Sequence, residues 1–512
     1  MALYATVMPR RSPPISRSNC MRTSITHPLQ IAEVSAGDGL GKVGLTFCPG
    51  KKQPSALTGA WDRDLLIDVA AIASWNAAAV VTLVEDHELV SLGVAELGGA
   101  VRDAHMAWHH LPIADVSTPG SAFEDAWNGA GGQLRDVLRS GANVLVHCKG
   151  GLGRAGTIAS RLLIELGMDP ETAAASVRQA RPGAIETSSQ LAYVHALSEV
   201  SEEQPDTSRE AQRNRALGVM LGLAAGDALG TTLEFAARDS KPRVTDIVGG
   251  GPFGLKPGQW TDDTSMALAL ADSLITCGSL DESDLMQRFV RWREHGDYSA
   301  TGRCFDIGIT VSGALRRFKA SGDPVAGSND PMSAGNGSLM RLAPVALRHW
   351  HEPQTLRDVA ARQSRTTHAA PEAVDACVAY ADLIAEAIAG QPRSHILRPR
   401  HDDYAGKIAD IMAGSWRGKH RSQIRGSGYV AHSLEASLWC VARTSSFAEA
   451  VILAANLGED ADTTAAITGQ LAGALYGASG IPGEWLAKLA WRERIETMAS
   501  TLFATGAGST FG

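Results

Sequence analysis

The chain has 512 residues, too many for one ordinary domain; two to four are expected, each large enough to bury its own core. Its 55 acidic and 47 basic residues give a formal charge of −8, and no basic stripe with interleaved aromatics points to nucleic acid. The seven cysteines (Cys20, Cys48, Cys148, Cys277, Cys304, Cys377 and Cys440) are odd in number, scattered and without a CxxC pair. That argues against a disulfide framework or a cysteine-based zinc site and for a reducing compartment, so the expected location is cytoplasmic. No apolar stretch reads as long enough to cross a membrane, and no membrane partner is expected.

Residues 1–34 hold Arg10, Arg11, Arg17 and Arg22, several serines and no acid before Glu33. That is the composition of an organellar transit peptide. The stretch is broken by prolines and is not amphipathic, so a disordered leader, or a start codon assigned too early, is the plainer expectation. From 35 to 200, short valine-rich runs alternate with helical patterns. "AAAVVTLVE" (77–85) and "ANVLVHC" (142–148) read as buried parallel strands. Helices are expected over 62–75, 122–140, 155–167, 171–180 and 189–199. The alternation predicts an α/β domain with a parallel central sheet. "SEEQPDTSREAQRN" (201–214) is polar and aperiodic, and 201–212 is assigned as an exposed linker.

Beyond it, from 213 to 505, strand-like runs almost vanish. Long Ala/Leu/Gly segments recur at 213–230, 262–276, 283–294, 305–320, 338–348, 371–390, 428–443, 447–456 and 463–476. They predict an all-α domain, in which small residues such as those of "TGQLAGALYGASG" permit close helix packing.

Between a strand ending at His147 and a helix beginning near Ala155 lies Cys148-Lys149-Gly150-Gly151-Leu152-Gly153-Arg154. A strand, a glycine turn and a helix N-terminus make an anion cradle, and Gly150, Gly151 and Gly153 let the backbone wrap closely around the anion. A cysteine there should ionise readily. Arg154 can offer a fork to two phosphate oxygens. The chemistry suited is attack of the Cys148 thiolate on a phosphoester, giving a cysteinyl-phosphate that water hydrolyses, with no cofactor. His147-Cys148-x5-Arg154 resembles the signature of cysteine-dependent protein phosphatases. The wider context is similar to the cyclin-dependent-kinase-inhibitor-associated group of dual-specificity phosphatases. "WHHLPIADVSTPG" (108–120) resembles that group's acid loop, which implies Asp115 as general acid. "RPGAIETSSQ" (181–190) resembles its later loop, which implies that Gln190 positions the hydrolytic water. The sequence departs from many relatives at Ala155, where a Ser or Thr assists departure of the thiolate; Thr157 lies two positions further on.

Two acidic clusters precede helices in the second half: Thr261-Asp262-Asp263-Thr264 and Asp460-Ala461-Asp462-Thr463. Either alone is explained as a helix cap. Four aspartates brought together would repel unless cations lay between them, and oxygen-only ligands favour Mg²⁺ or Mn²⁺. Seven motifs in order, from "GLAAGDALGTTLEF" (222–235) through "WTDDTSMA" (260–267) and "GNGSLMRLAPV" (335–345) to "NLGEDADTTAAITGQLAGALYG" (456–477), resemble the ADP-ribosylglycohydrolase family, in particular its dinitrogenase-reductase-activating type. The resemblance implies two Mg²⁺ or Mn²⁺ ions held by Thr261, Asp262 and Asp263 on one side and Asp460, Asp462 and Thr463 on the other. It implies Glu234 as a mobile carboxylate near the metals and Asp306 as a cleft acid. Asn336, Gly337 and Ser338 would hold the phosphates and ribose, and His368 and Tyr429 would contact substrate.

The reading that follows is a bifunctional hydrolase acting on an ADP-ribosylated protein, with arginine as the expected linkage, and on a phosphoester. Two rivals stand beside it. In one, the N-terminal domain is a phospho-ligand sensor without turnover. In the other, both domains act in sequence on one phosphorylated ADP-ribose derivative.

Overall fold

The computed structural model describes residues 21–56 and 59–506. The N-terminal domain is built on strands β1 (Ala32–Ser35), β2 (Lys42–Phe47), β5 (Ala77–Thr82), β6 (Ala107–His110) and β7 (Asn143–Cys148), with β3 (Lys52–Gln53) and β4 (Trp61–Asp62) forming a small separate ladder. The main sheet has the order β1-β2-β7-β5-β6; β1 is antiparallel to β2 and every other pairing is parallel. β5 is buried along its whole length and β7 along all but its first residue, as expected of strands covered on both faces by helices. The five expected helices are present, and Leu65–Ser74 begins three residues late because the Asp64 side chain caps it through the amide of Ile67. β6 escapes sequence reading because "AWHH" is half-buried and carries no apolar run.

Residues 21–34, assigned by composition to a leader, are ordered in the structure. Arg22 bridges to Trp61, the Ser24 hydroxyl accepts from the amide of Asp64 at 2.9 Å, and β1 edges the sheet. The remainder of the leader, residues 1–20, lies outside the described residues. The irregular stretch lies earlier than the linker read from the sequence: residues 196–208 are irregular and a helix starts at Arg209, capped by Ser208. Part of it is docked, since Glu202 accepts from the amide of Ser394 at 3.0 Å.

The C-terminal domain is helical and organised around one crossing, that of helix Arg209–Gly230 with helix Ala461–Tyr476. Gly218, Gly222, Gly226 and Gly230 recur every fourth residue, so they line one face. A methyl group added at Gly222 would lie 2.2 Å from the carbonyl oxygen of Gly469, and one at Gly226 would lie 2.2 Å from that of Ala465. The two backbones are therefore in direct contact, which no larger side chain permits. By length and composition Arg209–Leu233 could cross a membrane, contrary to the reading of the sequence; 89% of its apolar window is buried inside the domain, which accounts for the apolarity as core. Helices Pro353–Arg365 and Arg492–Gly506 lie outside the helical segments read from the sequence.

The domains dock through the N-terminal ends of the parallel strands. Buried Arg443 donates to the carbonyl oxygen of Ala77 at 2.6 Å and to Asn76 Oδ1 at 2.9 Å, and Arg417 donates to the carbonyl of Ser140 at 2.9 Å. The cysteine loop lies at the opposite, C-terminal ends, about 20 Å away for strands of six residues.

Candidate active sites

At the C-terminal strand ends, loops after β5, β6 and β7 converge, the usual place for a site in such a sheet. The thiol of Cys148 is buried and accepts from the Gly151 amide at 3.2 Å. Gly151 has φ +70°, and a side chain there would strike the Thr46 backbone at 2.4 Å, so both the turn and the close approach require glycine. Arg154, 2% exposed, is gripped by Glu88 through Nη1–Oε2 at 2.6 Å and Nη2–Oε1 at 3.1 Å. Burial pushes the Glu88 carboxyl up, but the hydrogen bonds from Arg154 and the Glu85 amide, with the charges of Arg154 and Lys149, together outweigh it and hold it below the ordinary range. Asp115, 56% exposed, places Oδ1 2.9 Å from Arg154 Nη2, so the loop carrying the acid lies on the guanidinium.

Gln190 is fully buried, and its amide joins two loops. Oε1 accepts from the amides of Glu186 and Thr187 in a capping box, while Nε2 donates to the carbonyl of Ser117 on the acid loop. The Glu186 carboxylate takes the amide of Gly153 at 2.8 Å, so one donor of the cradle already has a partner. Thr157 does not replace the missing hydroxyl at Ala155, because its own donates to the Gly153 carbonyl at 2.9 Å. Glu88 and Glu186 were not singled out in the sequence. Both lie near loops that were noticed, but only the fold brings them onto the cradle.

In the second domain the contact of the glycine-bearing helix with Ala461–Tyr476 sets Asp227 beside Asp462. The N-terminus of helix Asp262–Cys277 brings Asp263 to the same point. One ligand atom each from Asp227, Asp263 and Asp462 lies within 4.8 Å of the others, and the same holds for Glu234, Asp306 and Asp462. Thr261 donates to Asp227 Oδ1 (2.9 Å), Asp263 Oδ2 (2.9 Å) and Asp462 Oδ2 (3.1 Å) as alternatives. Thr463 lies 3.4 Å from Asp263 Oδ2. Asp227, which the sequence reading quoted but gave no role, accepts from the amides and hydroxyls of both Thr261 and Thr264. It is the brace of the cluster.

Burial and the neighbouring carboxylates push Asp262, Asp263 and Asp462 well above the ordinary range. Glu234 is pushed up to about 10 by burial and then by Asp306. Asp263 Oδ1, Asp462 Oδ1 and Glu234 Oε2 are buried without a hydrogen-bond partner. Orphaned anionic oxygens facing one another fit divalent cations: the donor set is all oxygen, and a cation removes both the repulsion and the unmet bonding.

Asn336 reaches this cluster, donating to Asp460 Oδ2 at 2.7 Å and to Ser433 at 2.9 Å. Two expected substrate contacts do not. Ser338 is fully buried and accepts from Ser364 at 2.8 Å, because the chain turns it into the core. His368 packs under the loop, its Cε1 2.8 Å from where a Gly337 side chain would begin, and burial lowers it to about 3, so it stays neutral. Both residues support the 335–337 loop from behind. Tyr429 is half-buried and donates to Glu372. An aromatic rim that the sequence reading missed, Phe235, Phe253 and Phe305, has centroid spacings of 6.4 and 5.1 Å; Phe235, 67% exposed, follows Glu234, and Phe305 precedes Asp306.

A cysteine-and-arginine anion cradle on one domain and a buried carboxylate cluster on the other define a two-domain hydrolase. Residues 208–510 match the model of the ADP-ribosylglycohydrolase family, and residues 53–208 match that of the Swiss Army Knife protein, DSP-PTPase phosphatase domain. The chain belongs to the ADP-ribosylglycohydrolase family, with a dual-specificity-type phosphatase domain fused ahead of it. It is 47% identical over 290 residues to ADP-ribosylarginine hydrolase Tri1 of Pseudomonas putida, covering 57% of this chain and 78% of that protein. It is 36% identical to the ADP-ribosyl-[dinitrogen reductase] glycohydrolase of Rhodospirillum rubrum, over 54% of this chain and 90% of that one. Among solved structures, an ADP-ribosylglycohydrolase-related protein complex superposes with a TM-score of 0.52 at 42% identity, covering 58% of this chain and 99% of that chain.

Proposed function

We propose that the C-terminal domain frees ADP-ribose from arginine side chains of modified proteins, and that the N-terminal domain frees phosphate from a phosphoester through Cys148. The observation carrying the first half is the meeting of Asp263, Asp462, Glu234 and Asp306 with unpartnered buried oxygens. The linkage follows the relative at 47% identity, which is an ADP-ribosylarginine hydrolase. Thr261, Asp262 and Asp263 on one wall and Asp460, Asp462 and Thr463 on the other are the candidate ligands of two Mg²⁺ or Mn²⁺. Such ions supply an activated water and a positive centre for the sugar hydroxyls. Glu234 and Asp306 face the same point and are placed to give a proton to the leaving nitrogen, or to take one from the attacking water, as the glycosidic bond breaks. Asn336 fixes Asp460, and Gly337, where a side chain would strike His368, belongs to the loop proposed to hold the diphosphate.

In the N-terminal domain, Cys148 Sγ bonds to phosphorus as the P–O bond breaks, and Asp115 gives its proton to the leaving oxygen. Water oriented by Gln190 then cleaves the S–P bond, releasing phosphate and regenerating the cysteine. Ala155 and the engaged Thr157 hydroxyl favour one second reading, a domain that binds phosphate and turns over slowly or not at all. The cysteine mouth opens at the sheet end remote from the second domain, which favours separate marks over one shared small molecule.

The test is release of ADP-ribose from an arginine-ADP-ribosylated protein with Mg²⁺, with Mn²⁺ and with chelator, beside Asp262→Asn. Metal-dependent release lost in the variant supports the assignment; binding without release overturns the linkage. For the other half, phosphate release by wild type and none by Cys148→Ser supports catalysis, and none by either leaves the sensor.

A further inference from the structure

Between the domains, on the side away from the Cys148 loop, lies a cavity of about 670 Å³, within the range of small-molecule sites. Its walls carry Arg238, Lys241, Arg243, Arg421 and Arg443 against two acids, Asp103 and Asp239, in a chain whose net charge is −8. Asp239 is spent on Arg421 (2.7 and 2.8 Å) and lies 3.6 Å from His105. Arg238 and Arg443 bond to neutral acceptors: Arg238 to the carbonyls of Leu457, Arg421 and Ile424, and Arg443 to Asn76 and Ala77. Lys241 and Arg243 are exposed at the rim. Among the described residues, Arg238, Lys241, Arg243 and Arg443 form no ion pair, so four positive charges surround the space against one remaining acid, Asp103.

Two buried polar atoms there also lack partners, Arg421 Nε and His105 Nδ1. Burial, then Arg421 and Arg243, lowers His105 to about 4, as crowding of like charge requires. Of the four arginines, Arg238, Arg421 and Arg443 already spend their forks on protein acceptors; Arg243 keeps its planar fork, which matches phosphate oxygens two at a time, and Lys241 adds a point charge beside it.

We infer that this interdomain cavity binds a phosphate-bearing small anion, from orthophosphate to a nucleoside diphosphate, at a site distinct from both active sites. Leu233 and Ala236 line it on either side of Glu234, so a ligand here sits at the back of the acidic cluster.

The test is calorimetric titration of the full chain, in chelator, with orthophosphate, pyrophosphate and ADP, against three proteins: wild type, Arg154→Ala, and the pair Lys241→Gln with Arg243→Gln. One or more probes should bind Arg154→Ala with one site and bind the Gln pair at least about tenfold more weakly, the loss expected for two charged hydrogen bonds. The three probes separate the ligand sources. Retained binding in the Gln pair, loss of all binding in Arg154→Ala, or no binding by any probe overturns the inference. If the Gln pair melts early, Lys241→Gln alone carries the same comparison, with weakening expected and equal affinity decisive against it.

Discussion

Replacing Gly222 by Ala tests whether the backbone contact of the two central helices builds the acidic site. Glycine within a helix ordinarily costs about 0.5–1 kcal/mol relative to alanine, so this change should stabilise a helix standing alone. Here the new methyl would lie 2.2 Å from the Gly469 carbonyl oxygen, where ordinary contact needs 3.4 Å or more, so the helices must part by roughly 1 Å. The obstacle is backbone, which cannot rotate away. Overpacking of this kind costs about 1–3 kcal/mol, enough to reverse the sign. Gly313, in helix Ile309–Ser321, is the internal control: a methyl there meets only the flexible end of Arg317 at 3.4 Å. Thermal unfolding should show Gly222→Ala melting several degrees lower and Gly313→Ala unchanged or higher, at about 2–4 °C per kcal/mol for a domain of this class. Parting the helices also moves Asp227 from Asp462, so the gain in melting temperature on adding Mn²⁺ should shrink. A Gly222→Ala protein as stable as wild type would refute the reasoning.

Glu88→Gln removes the carboxylate that orients Arg154, and phosphatase kcat/KM should fall about 10- to 100-fold, as for loss of a charged hydrogen bond worth about 1.5–3 kcal/mol. Unchanged kinetics with a model phosphoester would sink that role. His147 is buried, and burial lowers it to about 3. The unfolded chain therefore takes up the proton first, and the His147 contribution to stability is lost as pH falls from about 6.5 towards about 3. Melting curves across that window should be flatter for His147→Asn than for wild type. Asp462→Asn relieves repulsion among buried acids, so the chelated protein should melt higher than wild type. The same variant should lose the metal-induced gain, which at a hundredfold excess over Kd is worth about 2.7 kcal/mol.

The candidate site residues were legible in order along the chain. Cys148 to Arg154 is a local loop whose shape follows from its glycines and its place between a strand and a helix, and the two aspartate pairs each sit at a helix start. Such signals survive in sequence because they depend on near neighbours. Gly218, Gly222, Gly226 and Gly230 were visible only as small residues; that they press one helix onto another, and so bring Asp227 to Asp462, depends on a partner more than two hundred residues away. Glu88, Glu186 and the rim of Phe235, Phe253 and Phe305 acquire meaning only when loops from different elements meet. Ser338 and His368 show the opposite case, since adjacency in a motif placed them at the substrate and the turn of the chain sends them into the core. The sequence by itself determined which groups are present and how each local segment is shaped, because covalent spacing and period act over a few residues. Which carboxylates share a centre, which amides stay free, and where two domains leave a charged cavity were decided by tertiary packing, because burial and Coulomb interaction depend on distance in space and not along the chain.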